Sequence, residues 1–362
     1  MRTLTQPSQR LINPSSTIRL SRRVLCLGLL SDASIIPPSS SYRSRRVLIT
    51  GGLGFIGSNL ALVRQGAHVT IVDSLIPEYG GNLHNLKGIA SRVTVNISDV
   101  RDRHSLPVFV RDQDVVFNLA GQTSHLDSMT DPDTDLEINA RAQLAILEAC
   151  RLHNPQVRIF FASTHQLYGK PEYLPVDEAH PLNPIDINGI HKLAGEQFHL
   201  LYHRVHGLRT SVLRLTNTIG PRMRIKDARQ TCLGIWIKHI IDGEPFEVWG
   251  GDQLRDFTYV DDDVSAFLLA GASEAEDGRV FNVDGTHPVS LVDLANLLVS
   301  LAPGATYRRR KFPANRKAID IGHYYADDTA IRTTLGWRPR TNLTNALRRS
   351  LSYFQREGSH YR

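Results

Sequence analysis

Val47-Leu48-Ile49-Thr50-Gly51-Gly52-Leu53-Gly54-Phe55-Ile56-Gly57-Ser58 is the stretch whose reading decides the fold. A short apolar run breaks at a glycine cluster and resumes with helical spacing; a second apolar run, Val69-Thr70-Ile71-Val72, ends on Asp73. Each part has a physical task in a strand–turn–helix–strand unit. Gly51 turns the strand sharply, Gly54 lets backbone approach a pyrophosphate, and Gly57 lets the helix pack on its own strand. The helix N-terminus offers unpaired N–H groups and the positive end of its dipole to phosphates. Asp73 ends the second strand, where a carboxylate accepts both ribose hydroxyls of NAD and repels the 2′-phosphate of NADP.

Outward from this unit, short apolar strands alternate with amphipathic helices. That rhythm predicts an α/β fold, a Rossmann-like doubly wound parallel sheet with right-handed crossovers and a smaller C-terminal α/β substrate lobe. Strands are expected at 47–50, 69–73, 93–97, 115–120, 157–163 and 210–215. Helices are expected near 55–65, 102–111, 132–153 and 186–206. After Gly220-Pro221-Arg222 shorter elements take over, with a Pro/Gly-punctuated stretch at 243–252 and helices at 261–272, 290–301 and 342–357. The basic run Arg308-Arg309-Arg310-Lys311 reads as a solvated turn. Residues 46–220, with part of 230–285, form the dinucleotide-binding domain, and 221–357 are mostly the substrate lobe.

Composition narrows the partners. Eight of the 42 Lys and Arg residues lie in residues 1–46, with only one of the 36 acids, so the remainder is near neutral. The basic balance therefore gives no nucleic-acid surface. Three cysteines without paired spacing fit a reducing compartment, and the 15 histidines show no metal-ligand spacing. No apolar run reaches the roughly 18–20 residues of a membrane span, so no membrane partner and a cytoplasmic location are expected. Residues 1–45 read as a disordered or mis-started extension. Their Arg/Ser bias and the run Val24 to Leu30 also leave a targeting segment open.

Further blocks follow in a fixed order: Ser98-Asp99-Val100-Arg101-Asp102, Val116-Phe117-Asn118-Leu119-Ala120-Gly121, Ala162-Ser163-Thr164, Lys192-Leu193-Ala194-Gly195-Glu196, Leu213-Arg214-Leu215-Thr216-Asn217, Arg255-Asp256-Phe257-Thr258-Tyr259 and Leu335-Gly336-Trp337. With the glycine turn, they make residues 46–357 resemble the extended short-chain dehydrogenase/reductases, the NAD-dependent nucleotide-sugar epimerases and dehydratases typified by UDP-glucose 4-epimerase. The resemblance implies NAD along Gly51, Gly54, Phe55, Ile56, Gly57, Asp73, Asp99, Val100 and Ala120, with Lys192 on the nicotinamide ribose. It implies Thr164 against the reacting sugar oxygen, and His125, Asn217, Arg255, Arg316 and Tyr324 around a nucleotide-diphosphate sugar. It also implies a homodimer joined through two long helices.

One residue departs from the pattern. Family members place a tyrosine base four residues before the lysine, sharing its helix face; this chain has Asn188 there. An amide cannot take a proton as a base, a role that typically contributes about 10²–10⁴ in rate. His165, His191 and His125 are the available replacements, with a water held by Asn188 as the remaining option. The acid pair that dehydratases place after the threonine is His165-Gln166 here. The expected activity is therefore epimerisation at C4 (or C2), with dehydration or decarboxylation, or cofactor binding without chemistry, as the alternatives.

Overall fold

Seven parallel strands order the chain: β1 (Arg46–Thr50), β2 (His68–Asp73), β3 (Thr94–Ile97), β4 (Val115–Asn118), β5 (Arg158–Thr164), β6 (Arg209–Leu215) and β7 (Val280–Val283). In the sheet they run β7-β6-β5-β4-β1-β2-β3. The computed structural model describes residues 41–362 except 63–65, 228, 230, 275 and 286. The expected extension lies mostly outside the described residues. Its last part does not extend away from the fold: Tyr42 is buried against Phe117 and donates its hydroxyl to the Leu268 carbonyl at 2.9 Å.

Alternation along the strands explains the two layers. In β1, Val47 and Ile49 enter one apolar cluster while Leu48 enters the other; in β4, Val115 and Phe117 oppose Val116 in the same way. Both faces of each central strand are therefore covered, as a parallel sheet requires. Helix α1 (Phe55–Leu62) follows the glycine turn. On the opposite face lie α2 (Ala142–His153) and α3 (Ile187–His206), which pack on each other.

Three expectations need correction. The helix expected over 132–153 is continuous but not α throughout: Pro132–Leu136 passes into a π turn over Glu137–Arg141 before α2 begins. The looser turn turns Asn139 inward to donate to the Gln122 carbonyl at 2.9 Å, and Gly195 of α3 has no room for a Cβ beside the Asn139 carbonyl. Arg308–Arg310 is not a turn. It belongs to strand Tyr307–Arg310, which pairs in parallel with Phe246–Trp249, and Arg310 and Glu247 meet across the pair at 3.0 Å. The helix near 102–111 is shorter, Leu106–Val110, because Pro107 lies in its first turn, where no N–H is needed. Sequence patterning also missed β7 and the helix Cys232–Asp242.

Trp337 closes the lobe, fully buried, donating to the Asp262 carbonyl and the Ser265 hydroxyl at 3.0 and 2.9 Å. Among the described residues no helix is long and apolar enough to cross a membrane.

Candidate active site

The C-terminal ends of β1, β2, β4, β5 and β6 open on one cavity of about 850 Å³, between the sheet and the C-terminal lobe. A crevice where the strand order reverses, here between β1 and β4, is where open α/β sheets bind ligands. Gly51 sits at φ +70°, and its N–H donates to the Val72 carbonyl, tying the turn to β2. A Cβ on Gly57 would collide with the Gly51 carbonyl oxygen and lie 2.8 Å from the Gly52 Cα. Only glycine permits α1 to start this close to β1.

Asp73 is 9% exposed, and its two carboxylate oxygens accept from the backbone N–H groups of Leu53 and Leu75 at 2.9 and 2.8 Å. Burial pushes its pKa up, and those two N–H groups pull it back. The glycine turn and the second strand are thus locked through one carboxylate. Asp99 is clamped by the Arg101 guanidinium at 2.6 Å. Burial alone would raise its pKa, but the hydrogen bonds from Arg101 hold it below the usual carboxylate range.

Asn188 and Lys192 face the cavity from α3, whose first turn is capped by Asp186 accepting from the Gly189 N–H at 2.7 Å. Lys192 is nearly buried beside Gly121 and donates to the Ala162 carbonyl at 3.1 Å. Burial pushes its ammonium down to about 8, against a smaller upward pull from Asp135. The Asn188 amide spends both N–H bonds, one on the Gln122 carbonyl and one on the Asp135 carboxylate, each at 2.9 Å. Only its oxygen is left for a ligand.

Thr164 ends β5, and its hydroxyl oxygen accepts from the Gln166 N–H at 3.2 Å, which leaves its hydrogen free to donate. The strand is braced from behind by the buried Arg214–Glu196 pair at 2.5 Å, with Ser163 donating to the same carboxylate at 2.7 Å. Asn217, Arg255 and Arg316 line the far end of the cavity with Trp249 and Phe312. Asp320 fixes the Arg255 guanidinium at 2.8 Å, and Arg316 lies over the Trp249 ring.

The cavity thus gathers Gly51, Gly54, Phe55, Ile56, Gly57, Asp73, Asp99, Val100, Ala120, His125, Thr164, His165, Asn188, Lys192, Asn217, Arg255 and Arg316. It does not gather His191 or Tyr324. His191 leaves α3 toward the buried Asp135, 2.8 Å away, because successive helix positions point about 100° apart. Tyr324 is fully buried in a small cluster with Leu167, Tyr168 and Val176, behind the His165 ring. Sequence reasoning missed Asp135, Asp186, Gln122 and Asp320. Asp186 carried a signal only as a helix cap.

The NAD dependent epimerase/dehydratase family model matches residues 47–284. The chain belongs to this family. A putative UDP-glucose 4-epimerase of Methanocaldococcus jannaschii is 30% identical over 314 residues, covering 85% of this chain and 98% of that protein. A dTDP-glucose 4,6-dehydratase of Actinoplanes sp. is 29% identical, with 86% and 98% covered. The crystal structure of UDP-glucose 4-epimerase from Thermotoga maritima with UDP-glucose superposes with a TM-score of 0.78 at 28% identity, covering 86% of this chain and 99% of that one.

The cofactor of this epimerase/dehydratase family member is NAD. The site fits it: the glycine turn leaves no room for side chains, and a fixed carboxylate stands at the end of β2. Asp73→Ala unpairs the Leu53 and Leu75 N–H groups, each worth about 1–3 kcal/mol when left unsatisfied. NAD affinity is expected to fall about tenfold or more, and the preference for NAD over NADP to shrink. Fluorescence titration with both dinucleotides measures this.

Proposed function

We propose that this protein is an NAD-dependent nucleotide-sugar epimerase that inverts C4 through a transient keto-sugar. The observation that carries the reading is the convergence of Thr164 and Lys192 on the cavity that holds the glycine turn, with no carboxylic acid at positions 165 and 166. Dehydration needs an acid and a base to eliminate water, and His165-Gln166 supplies no such pair. Epimerisation needs less: a hydride acceptor, a proton acceptor and freedom for the keto-sugar to present its other face. NAD held along the glycine turn and Asp73 would supply the hydride acceptor.

The chain's own groups do the rest. Thr164 donates a hydrogen bond to the reacting sugar oxygen. Lys192 holds the nicotinamide ribose and places positive charge beside the developing alkoxide, where a desolvated cation counts most. Arg255, oriented by Asp320, and Arg316 bind the diphosphate through planar forks that match its oxygens. Asn217 adds a contact to the phosphate end.

UDP- and dTDP-hexoses are the substrates to try, with products separated by chromatography and the reduced-nicotinamide absorbance followed. Interconversion of C4 epimers supports the proposal. A 4-keto-6-deoxy product assigns a dehydratase instead, and tight NAD binding without turnover of any sugar assigns a binding protein.

The enzyme works as a cytoplasmic homodimer in this reading. Leu144 and Leu152 on α2, and Ile190, Leu201 and Val205 on α3, are exposed apolar side chains on two helices that pack side by side. A second copy laying its own pair across them makes a four-helix contact. Leu201→Arg with Val205→Glu is expected to halve the mass measured by light scattering after gel filtration. An unchanged mass removes this interface.

A further inference from the structure

The proton acceptor is the group the chain lacks at position 188, and three histidines lie near enough to be compared. His191 does not reach the cavity. His165 lines it but is 5% exposed, with Nδ1 3.1 Å from the Leu215 carbonyl and its ring tilted over Tyr324. Burial pushes the His165 pKa down to about 3, so its remaining nitrogen is a weak base. His125 differs from both. It opens the short helix His125–Thr130 and lines the cavity with its side chain about 29% exposed. Its Nδ1 lies 2.7 Å from Oδ2 of Asp186, whose side chain is 2% exposed; the two atoms are in ion-pair contact without hydrogen-bond alignment, and both are buried with no other hydrogen-bond partner.

Asp186 is held on its other side. Its Oδ1 accepts the Gly189 N–H at 2.7 Å, capping the helix that carries Asn188 and Lys192. Burial alone would raise the Asp186 pKa, but His125 and the Gly189 N–H bring it below the ordinary range, so it stays ionised. A small rotation of the ring aligns Nδ1–H with this otherwise unpartnered carboxylate oxygen, which then keeps the proton on Nδ1 and leaves Nε2 with its lone pair. The carboxylate also stabilises the imidazolium that forms when a proton arrives.

Resting on the epimerase reading above, we propose that His125, oriented by Asp186, is the general base and acid that stands in for the missing tyrosine. The sugar hydroxyl gives its proton to Nε2 of His125 as its C–O bond becomes C=O, and the C–H electron pair leaves as hydride to the oxidised nicotinamide. On return, Nε2 gives the proton back to the oxygen as hydride re-adds to the opposite face. Atoms and electrons balance over the cycle, and the protein ends as it began. Asp186 touches neither substrate nor cofactor; it is a positioning residue.

The test uses full-length protein with NAD and a sugar nucleotide that the wild type turns over. His125→Ala is expected to lower kcat by about 10²–10⁴, with KM and NAD affinity within a factor of about two to three, and added imidazole to restore part of the rate. Asp186→Asn keeps a capping side chain but loses the charge, so it is expected to lower kcat with an unchanged melting temperature. In ¹⁵N spectra of histidine-labelled protein without substrate, His125 is expected as the Nδ1–H tautomer, and Asp186→Asn to change that signal. Wild-type kcat in His125→Ala overturns the proposal, as does a loss that imidazole leaves unrestored or a change confined to KM. A wild type inert on every sugar nucleotide overturns the epimerase reading itself, and the base with it.

Discussion

Gly57→Val is expected to abolish the thermal stabilisation that NAD gives and to lower the melting temperature of the unliganded protein. The new side chain would start where the Gly51 carbonyl oxygen and the Gly52 Cα already are. Both obstacles are backbone, held by the Gly51 N–H bond to Val72 and the Gly54 N–H bond to Gly51, so no rotamer change makes room. Helix α1 must move off β1, and overpacking of this kind costs about 1–3 kcal/mol. The same movement withdraws the N–H groups aimed at the pyrophosphate. Gly54→Ala makes the contrast: its Cβ meets only the Gly51 carbonyl oxygen, at 3.2 Å. NAD affinity should fall while the melting temperature barely changes. Differential scanning fluorimetry with and without NAD reads both variants.

Lys192→Met is expected to lower kcat by about 10²–10³, the loss seen when one oriented donor is removed from a developing oxyanion. The apolar stem is retained, so the loss reports on the charge and not on a cavity. The pH profile carries a sign. With its pKa held down to about 8, Lys192 is charged below that value and neutral above it, so turnover that depends on its charge falls as pH rises through 8. The variant loses that alkaline limb. Stability moves the other way. Between about 8 and the ordinary lysine value of 10.5, the unfolded chain binds a proton that the folded chain does not, so wild-type stability rises with pH relative to Lys192→Met. Urea titrations of the two proteins at pH 7 and 9.5 measure that difference.

The cofactor half was legible because its signals are local. A glycine turn, the strand before it and an acid closing the next strand lie within 27 residues, and each obeys geometry that the chain imposes on itself. The same holds for β1 to β6, whose apolar runs are bounded by turn residues. Val280–Val283 escaped notice because three apolar residues and an asparagine among shorter elements become a strand only by pairing with β6, 68 positions earlier. Arg308–Arg310 misled for the related reason that an edge strand can carry charges, here answered by Glu247 and Asp252. The glycine and lysine sites share this local legibility. The role of Asp186 does not: its cap was visible one residue before α3, but its meeting with His125 joins positions 61 residues apart. Asp135 hides in the same way, since a buried carboxylate shared by Asn188 and His191 joins positions more than 50 residues apart.

In the proposed reaction, hydride leaves a sugar C4 and returns to the same carbon on its other face. UDP-glucose deuterated at C4, or the corresponding dTDP- or other UDP-hexose that the enzyme turns over, tests it by NMR of the product. Direct hydride return yields a C4 epimer that keeps its deuterium at C4. Deuterium lost to solvent, deuterium moved to C6 of a 4-keto-6-deoxy product, or no turnover of any sugar nucleotide would contradict it.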